Sequence, residues 1–173
     1  METIIAQSIL IPVFEEFREE AATTRRVLDR VPESKLAWKP HAKSMTLGQL
    51  AWHIATIPGS LARLIQQESF DVSQASFVPP QPKSLEEILT AYEQNVRQAE
   101  QCLDHMTDDR ASGMWRLERN GKKIFTRPRL AVMRSIMLNH WYHHRGQLSV
   151  YLRLLEVPVP VIYGPSADVD PFA

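Results

Sequence analysis

Cysteine is almost absent: Cys102 is the sole one in 173 residues, so no internal disulfide can staple the fold, and a reducing compartment suits the chain. Charge of one sign is lacking too. Lys and Arg number 20, Asp and Glu number 20, and the formal net charge is zero. That balance gives no electrostatic ground for DNA, RNA or an anionic membrane as the main partner. Basic residues do gather between Arg116 and Arg134, but Glu118 interrupts them, and the cluster reads as a solvated loop rather than a phosphate-binding patch. No apolar run approaches the ~20 residues that cross a bilayer. The N-terminal run carries Glu2 where a secretory signal wants positive charge and gives way to Glu15, Glu16, Glu19 and Glu20. It therefore reads as neither signal peptide nor membrane span. The expectation is one compact cytoplasmic domain over residues 1–173, long enough to bury a core.

Four segments carry a helical apolar period. In the first, Phe14, Phe17, Ala21, Thr24 and Leu28 recur at three and four residues, with Pro12 acceptable near the first turn. The second opens on the capping box Thr46-Leu47-Gly48-Gln49 and turns Leu50, His53, Ile54, Ile57, Leu61 and Leu64 inward. Pro58 should kink it, because its ring removes the bond to the Ile54 carbonyl. A long connection, Ser69 to Lys83, is able to cross the end of a bundle. Ser84-Leu85-Glu86-Glu87 is a second capping box, starting a helix that buries Ile88, Tyr92, Val96, Ala99 and Leu103. Between Thr107 and Pro128 the period changes, and Asn120-Gly121 signals a small hairpin or extended excursion. The last helix runs from near Pro128 to about Leu155, with His140, His144, Gln147, Leu148 and Tyr151 on its stripe. The fold class expected is an all-α four-helix bundle.

Six histidines are present, and three take positions where a packed bundle would place Leu. His140 and His144, four apart, project from one helical face about 40° apart, a spacing that lets two imidazoles reach one metal ion. His53, on a different helix, can supply a third ligand. A lone histidine on an apolar stripe is more often a satisfied core residue. Three neutral imidazoles in one small core need partners, however, and a shared metal provides them. His143 lies on the same face three residues after His140, and spacing alone does not choose between it and His144. His41 and His105 read as structural or solvent-exposed.

The run His140-Trp141-Tyr142-His143-His144-Arg145-Gly146-Gln147-Leu148 resembles the last-helix signature of the DinB-like (damage-inducible, YfiT-like) superfamily. The run from Trp38-Lys39-Pro40-His41 through Thr46-Leu47-Gly48-Gln49-Leu50-Ala51-Trp52-His53 resembles its second-helix signature. The resemblance implies a metal triad of one histidine from the second helix and two, four apart, from the last. Carried over, these are His53, His140 and His144, and His143 becomes the non-ligand. It also implies an up-down-down-up bundle and a homodimer. The family name implies no DNA chemistry.

Three imidazoles leave a coordination position free, as in catalytic sites. Such a site can lower the pKa of water and serve a hydrolase, or bind a small thiol as thiolate. A zincin-type hydrolase wants Glu directly after the first helix histidine, and that place holds Trp141. Thiol transfer needs no such base, and characterised relatives in the family include bacterial thiol S-transferases and a mycothiol-dependent isomerase. The expected activity is thiol S-transfer on a small-molecule substrate, with a metal-dependent hydrolase or a non-catalytic metal-binding protein as alternatives. The cofactor expected is one divalent transition metal, Zn or Ni first, with Fe, Co and Cu also compatible. Gln147 and Tyr151 are candidates to contact the ligand or substrate. Arg145 points about 140° away from His140 and should make a structural ion pair.

Overall fold

The computed structural model describes residues 8–170 and 172; the first residues of the N-terminal run, Glu2 included, lie outside them. Helix α1 (Ile11–Leu28) opens with a proline in its first turn, where the missing N–H would have had no helical partner. Helix α2 (Leu47–Gln66) is held by the expected capping box: the Gln49 N–H donates to the Thr46 hydroxyl, and the Thr46 N–H donates to the Gln49 side chain, both at 3.1 Å. Helix α3 (Leu85–Asp104) realises only half of its box. The Ser84 hydroxyl accepts from the Glu87 N–H, whereas the Glu87 carboxylate takes the Lys83 N–H at 2.7 Å.

The fold is mostly helical but not all-α, which corrects the sequence expectation. A three-stranded sheet is formed by β1 (Ser69–Asp71), β2 (Met114–Arg119) and β3 (Lys122–Pro128), with the short helix α4 (Asp108–Ser112) leading into it. Strands β2 and β3 are the hairpin signalled by Asn120-Gly121, whose positive φ of 52° and 71° match a two-residue primed turn. Strand β1 comes from the long connection and pairs in parallel with β2, Ser69 opposite Arg116 and Phe70 opposite Leu117. Three residues are too few for an alternation to show. What anchors them is the Asp71 carboxylate, which accepts the turn amides of Asn120 at 3.1 Å and Gly121 at 2.8 Å.

Arg129 closes the joint between sheet and helices. It is buried, donates to the carbonyls of Ile65, Gln67 and Met114, and pairs with Glu68 at 2.8 Å. Its guanidinium thus satisfies carbonyls at the C-terminal end of α2, which no further helical turn would reach. The basic stretch from Arg116 to Arg134 is therefore a strand pair that runs through the buried Arg129 into the final helix, not a solvated loop.

The final helix has three contiguous parts: α5 (Arg129–Val132), a π turn (Met133–Leu138) and α6 (Asn139–Leu154). Its buried residues include Met133, Met137, Trp141 and Arg145, spaced by four. In a pure α-helix each step of four overshoots by about 40°, so such a row would wind off the core. The wider π turn, in which the Asn139 N–H reaches the Arg134 carbonyl, takes up that drift. Helices α1 and α2 each pack against both α3 and α6, around one core. At the α2–α3 contact Gly59 allows close approach, since a Cβ there would lie 2.9 Å from both Cα and O of Asn95. Among the described residues no helix is long and apolar enough to cross a membrane.

Candidate metal centre

His53 on α2 meets His140 and His144 on α6. The Nε2 atoms of His53 and His140 lie 3.3 Å apart and those of His140 and His144 2.7 Å apart. One ring nitrogen from each of the three lies within 4.8 Å of the other two. Two nitrogens on one tetrahedral zinc ion, each bonded at about 2.0 Å, sit about 3.3 Å apart, so the cluster has the size of a single-ion site.

The remaining ring nitrogens decide what these contacts are. His144 Nδ1 lies 2.7 Å from Gln147 Oε1, and the His140 ring bonds the Ile136 backbone. With both acceptors served by an N–H, the Nε2 atoms of His140 and His144 carry lone pairs. Two lone pairs at 2.7 Å repel unless a cation lies between them. Protonation is opposed: burial, then the neighbouring charges of His144 and His140, pushes His53 down to about 4. Burial also lowers His140 and His144, against the opposing effects of Ile136 and Gln147. The donor set therefore fits a divalent metal, and three histidines this close could bind one.

The three imidazoles are half-buried rather than set in the core. The core face of α6 is Trp141, Arg145, Leu148 and Leu152, about 100° around the helix from the His140 face. Arg145 makes the structural ion pair expected of it, 2.5 Å from Glu20, with Thr24 as a further partner at 3.0 Å and the Tyr142 and Tyr163 rings beside it. His143 is exposed and stays outside the cluster, its ring centred 5.0 Å from that of His144. His41 and His105 are exposed as expected. Gln147 orients His144. Tyr151 donates to the Met45 carbonyl at 3.3 Å and packs edge-on against Trp38, bracing the loop before α2. Cys102 sits on α3 beside Gln98 and is no part of the cluster.

One residue that the sequence reading left unassigned fixes the two histidine-bearing helices together. Pro58 has no N–H for the Ile54 carbonyl, and the Trp141 indole supplies one at 2.9 Å. The bond joins the residue after His53 to the residue after His140. A proline inside a helix marks a carbonyl in need of a donor, and that signal was available. What sequence could not give was which donor answers it.

Beside the cluster a cleft of about 290 Å³ opens between α2 and the connection to α3, with His53 and His140 at one end. Trp52, Ile57 and Leu61 form one wall; Phe77, Val78 and the prolines Pro79 and Pro80 form the other. The hydroxyls of Thr56, Ser60 and Ser76 supply its polar groups.

Comparison with known proteins agrees with this architecture. A DinB-like protein from Bacillus cereus ATCC 10987, known from a crystal structure, superposes with a TM-score of 0.69 at 23% identity, over 91% of this chain and 99% of that one. The DinB-like protein YjoA of Bacillus subtilis gives 0.65 at 19% identity, over 84% and 93%. In sequence, the uncharacterized protein YrdA of Bacillus subtilis (strain 168) is 26% identical over 154 residues, 86% of this chain and 84% of that protein. The model of the DinB family matches residues 6–169, and the chain belongs to that family.

Proposed function

We propose that the protein is a metal-dependent enzyme in which His53, His140 and His144 hold one divalent transition ion, Zn or Ni first, and which activates a low-molecular-weight thiol for S-transfer. The observation that carries this reading is the convergence of three Nε2 atoms while the other nitrogens of His140 and His144 are already engaged. An ion bound there supplies Lewis acidity, which favours a thiolate at neutral pH. The chain's own residues do the rest. Gln147 and Ile136 hold the rings, Trp141 holds the helices, and the apolar cleft gives an acceptor a place beside the ion. In the transfer the sulfur lone pair forms the new C–S bond, the leaving group departs with its bonding pair, and the thiol proton goes to solvent.

Among the described residues lining the cleft there is no carboxylate to serve as general base, which weighs against hydrolysis. Trp141, in the place of a zincin glutamate, is fully buried with its N–H engaged. The four long helices are read as an up-down-down-up bundle forming a single domain, with a homodimer as the expected assembly. Elemental analysis after purification without chelator or nickel resin tests the site. Wild type should carry about one ion per chain and His140→Ala far less, and the loaded protein should then consume a small thiol in the presence of an electrophile. A wild type that stays empty after addition of zinc or nickel would end the proposal.

A further inference from the structure

The geometry points to the cleft beside the histidines as the acceptor subsite of this enzyme, built for a compact, uncharged, apolar compound of about ten non-hydrogen atoms. The inference rests on the catalytic reading above and adds the substrate class to it. Three observations carry it. First, the 290 Å³ of space corresponds to roughly ten water-sized groups at about 30 Å³ each, room for one ring with a short substituent.

Second, the histidines are the only ionisable side chains among the described residues that line it. A carboxylate or ammonium placed beyond their reach would lose its hydration with no countercharge, a cost that grows with burial. The guest that suits such a lining is neutral throughout. Third, the walls face the cleft with large apolar groups on both sides. Trp52 and Leu61 stand on α2, and opposite them Phe77 and Val78 remain 72% and 75% exposed. Side chains of this kind gain from a guest that covers them, because apolar surface is then removed from water. The hydroxyls of Ser60 and Ser76 can satisfy one polar substituent. The Thr56 hydroxyl, which donates to the Trp52 carbonyl at 3.0 Å, is left as an acceptor.

The test uses the full-length, metal-free protein, so that the ion cannot recruit a ligand by charge alone. Three probes of one shape are titrated: 2-phenylethanol, phenylacetate and 2-phenylethylammonium, followed by calorimetry and by the Trp52 indole resonance in NMR. 2-Phenylethanol should saturate and shift that resonance, with both charged analogues about tenfold weaker or more. Ser60→Phe, which fills the cleft from an exposed position, should abolish the shift, and Phe77→Ala should weaken binding by about threefold. Equal affinity for a charged probe, no saturation by 2-phenylethanol, or unchanged binding in both variants would overturn the assignment. Metal content measured on separate portions of each preparation after loading with zinc or nickel separates the two ideas. One ion per chain without 2-phenylethanol binding removes the acceptor class alone; 2-phenylethanol binding in a chain that never holds metal removes the catalytic reading alone.

Discussion

The Ile54 carbonyl is deprived of its helical donor by Pro58 and served instead by Trp141. This makes a fold-stabilising bond out of a local defect, and it can be measured as a coupling. Trp141→Phe keeps most of the buried ring, stacked on Phe17 at 5.6 Å, but leaves the carbonyl bare, at a cost of about 1–3 kcal/mol. Pro58→Ala returns a backbone N–H to that carbonyl. In the Pro58→Ala background the same Trp141→Phe change should therefore cost about 1 kcal/mol less, because only the packing term is left. Urea titrations of the four proteins give the cycle. Equal costs in both backgrounds would mean that the indole N–H contributes nothing beyond its packing. Gln147→Leu probes a neighbouring bond. With no acceptor for His144 Nδ1, zinc affinity measured by competition with a chromogenic chelator should fall about tenfold or more.

Between elements, two contacts set how the scaffold closes. Gly59 on α2 faces Asn95 on α3 so tightly that a Cβ would lie 2.4 Å from the Asn95 side chain and 2.9 Å from its backbone. Gly59→Ala should raise helix propensity by about 1 kcal/mol, yet overpacking of about 1–3 kcal/mol opposes it. A lower melting temperature is expected; a higher one would show that the helices part at little cost. The second contact is Asp71, held down to about 2 from an ordinary 3.8 by the Ser73 hydroxyl, then by the amides of Gly121, Ser73 and Asn120. Its folded-state value is depressed, so its stabilisation of the hairpin is complete above about 4 and lost as pH falls toward 2. Amide exchange of Gly121 should accelerate relative to an unprotected amide across that window in wild type, and Asp71→Asn should remove the pH dependence. The capping box at Thr46 and the Asn120-Gly121 turn were legible because each is a short-range rule confined to four residues or fewer. Strand β1 was not, since a carboxylate fifty residues from the turn it caps leaves no local period to read.

Across the molecule, sequence spacing brought His53, His140 and His144 within reach of each other, and the family resemblance chose His144 over His143. It misplaced their depth, because apolar periodicity tracks the core face, and a π turn re-phased that face onto Trp141 and Arg145. Periodicity assumes a constant 3.6 residues per turn, so a single wide turn is invisible to it. The half-buried position has a thermodynamic consequence. An ion gripping residues from α2 and α6 ties together helices separated in sequence by the whole hairpin and α3, and the native site has no counterpart in the unfolded chain. At a free ion concentration a hundredfold above Kd the folded state should gain about 2.7 kcal/mol. For a chain of this length that corresponds to a rise in Tm of roughly 5–10 °C. Zinc or nickel added to chelator-stripped protein should produce that rise in scanning calorimetry, and His140→Ala should largely abolish it. The gain should also shrink as the solution is acidified, because protons compete for the imidazoles that the ion requires neutral. A rise of equal size in His140→Ala would place the ion elsewhere on the protein. The absence of any rise in wild type would leave the three imidazoles as a polar seam between two helices, with no ion to explain their convergence.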